Sequence, residues 1–220
     1  MQEPQPVAGP HADPARAAKE AASVHKATES EHPGVVAALA RSFFDDPAAK
    51  WYFPDDSRRL GQLEGTYAFI GERDWFKHDV TYTTDGGIGA AVWIPPDHWR
   101  IGIPDQLRMT PGLISRIGLR DFPRALRGFN LMESNHPHEP PHYYLPQIGV
   151  VPEWQGKGIG SALLRPMLER CDREAMPAYL EATSARNRAC YERNGFEVTG
   201  EFRYPNGPNQ WSMWREPRAG

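Results

Sequence analysis

Apolar and polar positions change period several times along the chain, and each change predicts an element. Ser23-Val24-His25-Lys26-Ala27-Thr28 alternates, which predicts a short first strand. Val35, Val36, Leu39, Ala40, Phe43 and Phe44 then recur at helical spacing after Pro33-Gly34, and Asp45-Asp46-Pro47 closes that helix. An aromatic cluster, Trp51-Tyr52-Phe53, precedes a second helical stretch from Asp56 to Trp75. Such clusters are mostly core or wall, and that is the expectation for these three. Val80 to Thr84 and Ile88 to Trp93 alternate on either side of Asp85-Gly86-Gly87, which predicts a hairpin stopped by Pro95-Pro96. From Asp97 to Pro141 the pattern is irregular, with one amphipathic stretch from Leu107 to Leu131. Beyond it come a β-rich run from Tyr143 to Val151, a helix opening at Ser161, a strand at Tyr179 to Thr183 and a short helix around Tyr191. Two last strands, Phe196 to Tyr204 and Gln210 to Arg215, flank Pro205-Asn206-Gly207-Pro208. Pro166 falls inside the helix after Ser161 and should kink it, while Leu163, Leu164, Met167 and Leu168 keep its apolar face.

The densest information lies between the Tyr143 strand and the helix that follows it. Gln155-Gly156-Lys157-Gly158-Ile159-Gly160 occupies a strand–turn–helix junction. Backbone N–H groups at a helix start lack intrahelical partners and can cradle phosphate, and glycine brings the backbone close to the anion. Spacing separates three phosphate loops. The nucleoside-triphosphate loop needs G-x-x-x-x-G-K-[ST], but Lys157 is followed by Gly158. The dinucleotide fingerprint needs G-x-G-x-x-G, but Ser161 stands where its third glycine would. A Q-x-x-G-x-G pattern remains, and a glycine-rich turn packing a helix on a sheet stays open as the plainer reading.

This pattern resembles the pyrophosphate loop of the GNAT superfamily, the acyl-CoA-dependent N-acyltransferases. The likeness continues at Tyr179-Leu180-Glu181-Ala182-Thr183 and at Asn187-Arg188-Ala189-Cys190-Tyr191-Glu192-Arg193-Asn194-Gly195-Phe196. Helical geometry sets Asn187 and Tyr191, four apart, on one face, and Gly195 is placed to end the helix. Over roughly residues 137–217 the chain is similar to the puromycin N-acetyltransferase type. The resemblance implies an α+β domain over residues 23–217, with a central, mostly antiparallel sheet of about six to seven strands, a splayed central strand and flanking helices. Residues 95–142 are expected to cover the acceptor site.

Bulk properties narrow the partners. At 220 residues with a formal net charge of −3, one domain is the natural expectation and nothing basic points to nucleic acid. Residues 1–22, rich in Ala, Pro, Glu and Gln, are expected to form a disordered tail. Cys171 and Cys190 form no C-x-x-C pair and read as reduced thiols. No apolar run approaches the roughly 20 residues that span a bilayer. The start lacks the basic and apolar regions of a secretion signal, so a cytoplasmic protein without a membrane partner is expected. A homodimer is an admissible assembly.

Acetyl transfer to an amine requires a held cofactor, a neutral attacking nitrogen and a protonated leaving thiolate. The resemblance implies acetyl-CoA as co-substrate, with its pyrophosphate on Gln155, Gly156, Lys157, Gly158, Ile159, Gly160 and Ser161. It implies main-chain pairing of the cofactor arm with Ile148, Gly149, Val150 and Val151, and a hydrogen bond from Asn187, which could equally cap its helix. It implies Tyr191 as general acid; a core tyrosine beside Phe196 is the alternative. Relatives with a carboxylate on the central strand carry it near position 144, where this chain has Tyr144. The base therefore falls to Glu181 on the adjoining strand, to His142, or to a water relay. A plain ion pair or hydrogen bond at the sheet is the other reading of Glu181.

Two further constellations carry less. His136, His138, His142 and Glu139 suggest a metal, but Pro137, Pro140 and Pro141 disfavour an ordered ligand-bearing element, so no metal is expected and only His142 is singled out. The arginines at 100, 108, 116, 120, 124 and 127 read as a solvated helical face. The function expected is N-acetylation of a small-molecule primary amine by direct attack. The rivals are acetylation of a protein N-terminus or lysine, and a catalytically silent acyl-CoA-binding module.

Overall fold

A computed structural model describes residues 23–218; the expected tail at 1–22 lies outside them. Seven strands form one sheet: β1 (Val24–Lys26), β2 (Thr81–Thr84), β3 (Gly89–Ile94), β4 (Tyr143–Val150), β5 (Ala178–Ala182), β6 (Glu197–Arg203) and β7 (Asn209–Arg215). Their spatial order is β1-β2-β3-β4-β5-β7-β6. Only β4 and β5 run parallel; the other five pairings are antiparallel. The helices are α1 (His32–Phe43), α2 (Pro47–Tyr52), α3 (Asp56–Arg73), α4 (Ile103–Ile117), α5 (Phe122–Asn135), α6 (Ile159–Arg173) and α7 (Ala185–Arg193).

Strand alternation builds a core on each face of the sheet. Val92, Ile94, Tyr144 and Tyr179 face α1 to α5 and pack with Leu39, Tyr52, Leu63 and Ile117. Trp93, Tyr143, Leu145, Leu180 and Met213 face the other way, onto Ile159, Leu163, Leu164, Met167 and Cys171 of α6 and onto Tyr191 and Phe196. The helix α6 runs unbroken through Pro166. Burial pushes the Cys171 thiol up to about 12, so it packs as a small neutral group.

Position 149 shows why a glycine stands mid-strand. A Cβ built there would meet Ser42 Oγ at 1.8 Å and Ser42 Cβ at 2.7 Å, so Gly149 lets α1 lie directly on β4.

The feature that positions the site is a fault in the sheet. The β4–β5 pairing covers Tyr143↔Ala178 and Tyr144↔Tyr179 and then stops, although both strands continue. On the other edge of β4 the register with β3 shifts between Val92 and Ile94, where Leu145 and Pro146 stand opposite Trp93 alone. Such a bulge increases local twist, and Pro146 has no N–H to offer a ladder. The two strands therefore part from residue 145 onward.

The expectation of one amphipathic stretch between Leu107 and Leu131 needs correction: two helices stand there, beginning earlier and ending later. They part at Gly118, whose φ of 89° no other residue adopts easily. The first strand is also shorter than the alternation suggested, three residues instead of six.

Candidate active site

Where β4 and β5 separate, a cavity of about 360 Å³ opens, within the range of small-molecule sites. Ile148 of β4, Glu181 of β5, and Asn187 and Tyr191 of α7 share its wall. Four residues read from two distant stretches of sequence thus meet around one space. The opposite wall comes from the aromatic cluster and the 95–142 segment, including Tyr52, Trp99, Met109, Phe129 and His136. A wider open groove of about 1160 Å³, lined by Lys26, His32, Glu64 and Phe76, shares no residue with it.

Glu181 is held from two sides. Its side chain is 4 % exposed; Oε2 accepts a hydrogen bond from Tyr144 Oη at 2.9 Å, and Oε1 lies 3.8 Å from His136 Nδ1. Oε1 has no hydrogen-bond partner among the described residues. Thr66 Oγ1, Gln147 Oε1 and Gln210 Nε2, whose residues line the same cavity, are likewise buried without partners. Buried polar atoms are nearly always satisfied, so orphans gathered around one space mark where ligand or water belongs. Tyr144 thus orients the carboxylate of the neighbouring strand.

Tyr191 is buried, its ring edge-on to Phe196 at 6.1 Å. Its hydroxyl makes no hydrogen bond with the described residues. Burial pushes its phenol well above the usual value, which keeps the proton on at neutral pH.

Asn187 does not cap its helix. Ser184 does, accepting from the Asn187 N–H at 3.2 Å. The Asn187 amide donates to Thr183 Oγ1 at 2.9 Å, and Thr183 in turn donates to Asp46. Asp46 also caps α2 by accepting from the Ala48 N–H at 2.8 Å, and burial raises its carboxyl above the ordinary range. Sequence reading missed the Asp46–Thr183 link, which joins residues 137 apart, and took Asp45-Asp46-Pro47 only as the close of the preceding helix, whereas Asp46 also opens the next one.

The glycine loop lies off the cavity, beyond the far end of β4. Gly156 and Gly158 have φ of 77° and 83°, and nothing lies within 4 Å of a Cβ built at either, nor at Gly160. Gly158 is the N-cap of α6, and no side chain caps that helix, whereas Asp46, Asp55 and Ser184 cap α2, α3 and α7. The first amides of α6 therefore point bare into open space beside glycines, which suits a phosphate. Lys157 adds a cation, its Nζ 4.4 Å above the Trp154 ring.

Several of these side chains have their own partners in the fold. Ile159 is 2 % exposed, so only its main chain can reach an anion. Ser161 Oγ accepts from Asn194 Nδ2 at 3.0 Å, and Gln155 Nε2 donates to the Val150 carbonyl at 3.0 Å, latching the loop to β4. The Val151 N–H donates to Ile88 at 3.0 Å. The Val151 amide is thus already committed, and main-chain pairing with a cofactor arm falls to the parted stretch of β4 before it. Among the described residues, no group of three or more His, Cys, Asp or Glu is arranged to hold a metal. No helix there is long and apolar enough to cross a membrane.

A sheet parted at its parallel pair, with a bare glycine loop following the parted strand, matches the GNAT fold. The acetyltransferase (GNAT) family model matches residues 117–196. A curated relative, described as an uncharacterised N-acetyltransferase of Schizosaccharomyces pombe, is 43 % identical over 54 residues, 24 % of this chain and 22 % of the relative. The match thus spans about a fifth of that relative's length.

Solved structures extend the likeness in fold across the chain. A Corynebacterium glutamicum protein described as histone acetyltransferase HPA2 and related acetyltransferase is 24 % identical with a TM-score of 0.67, covering 91 % of this chain and 98 % of its own. A Drosophila melanogaster polyamine N-acetyltransferase gives 12 % and 0.60, covering 89 % and 99 %. A chain of the NatC complex bound to Gag peptide and CoA gives 14 % and 0.54, covering 90 % and 99 %.

Proposed function

We propose that this protein is a cytoplasmic, acetyl-CoA-dependent N-acetyltransferase acting by direct attack on the primary amine of a small molecule. The observation that carries the reading is the placement of an orphaned carboxylate oxygen of Glu181 and the unpaired hydroxyl of Tyr191 on one cavity wall, where the sheet opens beside a bare glycine loop. The amides of residues 156–161, with Lys157, would hold the pyrophosphate, and the parted stretch of β4 the arm. When bound, acetyl-CoA supplies the acetyl thioester. Glu181 Oε1 takes the proton that the amine nitrogen must lose, and Tyr191 Oη gives a proton to the departing sulfur. The main chain of Ile148, which alternation turns away from β3, would orient the cofactor arm, and α4 and α5 would exclude water.

A small acceptor is favoured over a peptide because α4 and α5 bound the cavity, with Met109, Leu113 and Phe129 on its wall. A silent binding module is disfavoured because two groups suited to move protons face the same space. Calorimetric titration with acetyl-CoA, followed by thiol release in the presence of an amine panel, tests the reading. Micromolar binding with turnover on small amines is expected. Absence of binding at millimolar cofactor would overturn it.

A further inference from the structure

We propose that His136 and His142 form, with Glu181, a buried proton relay that lets the carboxylate accept the amine's proton without stranding charge beside the reacting nitrogen. The inference rests on the acetyltransferase reading above, but its geometry stands independently. His142 Nδ1 lies 2.8 Å from the Pro140 carbonyl, which can only accept, so Nδ1 carries a hydrogen. Burial lowers the pKa of His142 and keeps the ring neutral, leaving a lone pair on its Nε2. That Nε2 is 2.9 Å from His136 Nε2, so His136 must be the donor.

The remaining nitrogen of His136, Nδ1, faces Glu181 Oε1 at 3.8 Å. With its Nε2 hydrogen directed at His142, His136 offers Nδ1 toward Glu181 as the site that can receive a proton taken up on Oε1. The surroundings suit it: Trp99 stacks on the His136 ring at 3.8 Å, and Tyr144 and Tyr179 stand edge-on, each at 4.6 Å.

The titratable groups facing the pair come from every neighbouring element. Tyr144 comes from β4, Tyr179 from β5 and His142 from the connector between α5 and β4. His138 and Arg100 stand against Trp99, and Asp97 acts on His142 from a distance.

The protons balance as follows. In the resting site His142 is neutral and the hydrogen between the rings sits on His136 Nε2. As the amine attacks, an N–H bond of the nitrogen breaks and an O–H bond forms on Glu181. That O–H bond then breaks as an Nδ1–H bond forms on His136, whose Nε2–H bond breaks as an Nε2–H bond forms on His142. The added positive charge comes to rest on His142, one ring farther from the cavity. Burial disfavours the charged form of His142, so the proton moves back along the same path and leaves from Glu181 to solvent once the product departs. His136 and His142 are positioning residues that act through Glu181.

Two measurements test the relay. In the first, ring ¹⁵N spectra of the histidines are recorded for the full chain and for Glu181→Gln. His142 is expected as the Nδ1–H tautomer and His136 as the Nε2–H tautomer, with the His136 Nδ1 signal moving in the variant. An Nε2–H tautomer at His142, or a His136 spectrum indifferent to position 181, would overturn the proposal. In the second, His136→Gln keeps a donor for His142 but cannot carry a proton. Its kcat is expected to fall about ten-fold or more, with an altered pH profile, while acetyl-CoA affinity and melting temperature stay near wild type. A rate and pH profile matching the wild type would overturn the relay and leave the acetyltransferase reading intact. Should the wild type bind no acetyl-CoA, the proposed function fails and the spectra alone decide the relay.

Discussion

Tyr144 Oη donates to Glu181 Oε2 at 2.9 Å across the last paired rung between β4 and β5, just where the strands begin to part. The bond joins the strand that would carry the cofactor to the strand that carries the proposed base. It also leaves the other carboxylate oxygen directed at His136, on the cavity wall that Tyr191 shares.

Tyr191→Phe removes a hydroxyl of the cavity wall without changing ring packing on Phe196. Turnover is expected to fall by about ten-fold or more, the scale of general-acid effects, with acetyl-CoA binding unchanged by calorimetry. Unaltered thiol release would remove Tyr191 from the chemistry.

Gly160→Ala separates a ligand requirement from a folding one. A Cβ at 160 meets nothing within 4 Å, and the position lacks the positive φ of Gly156 and Gly158. The melting temperature should hold, while acetyl-CoA affinity drops by about ten-fold, or 1.4 kcal/mol, because the methyl occupies space meant for phosphate. Equal loss of both would mean that the glycine serves only the helix start.

Gly149→Ala should destabilise by about 1–3 kcal/mol, as overpacking does, because its methyl would collide with Ser42. Pairing it with Ser42→Gly should recover much of that loss in a double-mutant cycle read by denaturant melts. Simple additivity would show that the contact is not what excludes alanine.

Arg215 and Asp172 predict an acid limb in stability. The guanidinium, 3 % exposed, makes two hydrogen bonds of 2.8 Å to the carboxylate, tying β7 to α6. These bonds hold the Asp172 carboxyl below its ordinary value. A depressed folded pKa contributes stability above the unfolded value near 3.9 and loses it as pH falls through the folded value. Asp172→Asn should flatten that part of the acid limb in melts between about pH 5 and 2. Arg215→Met should cost about 1.5–3 kcal/mol at pH 7, the range for hydrogen bonds to charged groups.

The legible parts of the molecule were those encoded locally. The Tyr143 strand, the glycines at 156, 158 and 160 and the apolar spacing from Leu163 to Cys171 specify a strand–loop–helix unit through neighbours alone. The stretch around α4 read poorly because Ile103 and Leu107 are exposed, 72 % and 69 %, so its apolar residues do not trace the buried face. Pro111 inside α4 also hid the helix, though α4 runs through it. Among the histidines, sequence favoured His142 for its closeness to the strand. His136 reaches the carboxylate because α5 ends against β5, a pairing of residues 45 positions apart that no local pattern records. Tyr144 was visible only as a missing acid; its hydrogen bond to Glu181 depends on the parallel register.

The two-rung union of β4 and β5 has a mechanical consequence. The sheet is two ribbons, β1 to β4 and β5 to β7, fastened at Tyr143–Ala178 and Tyr144–Tyr179 and free beyond. Force applied at the free end works against that short fastening with a lever arm as long as the strands. A molecule that lies in the opening and hydrogen-bonds to both edges acts as an eighth strand, carrying load from one ribbon to the other. Occupancy should therefore stiffen the whole sheet, slowing amide exchange in β6 and β7 as well as beside the ligand.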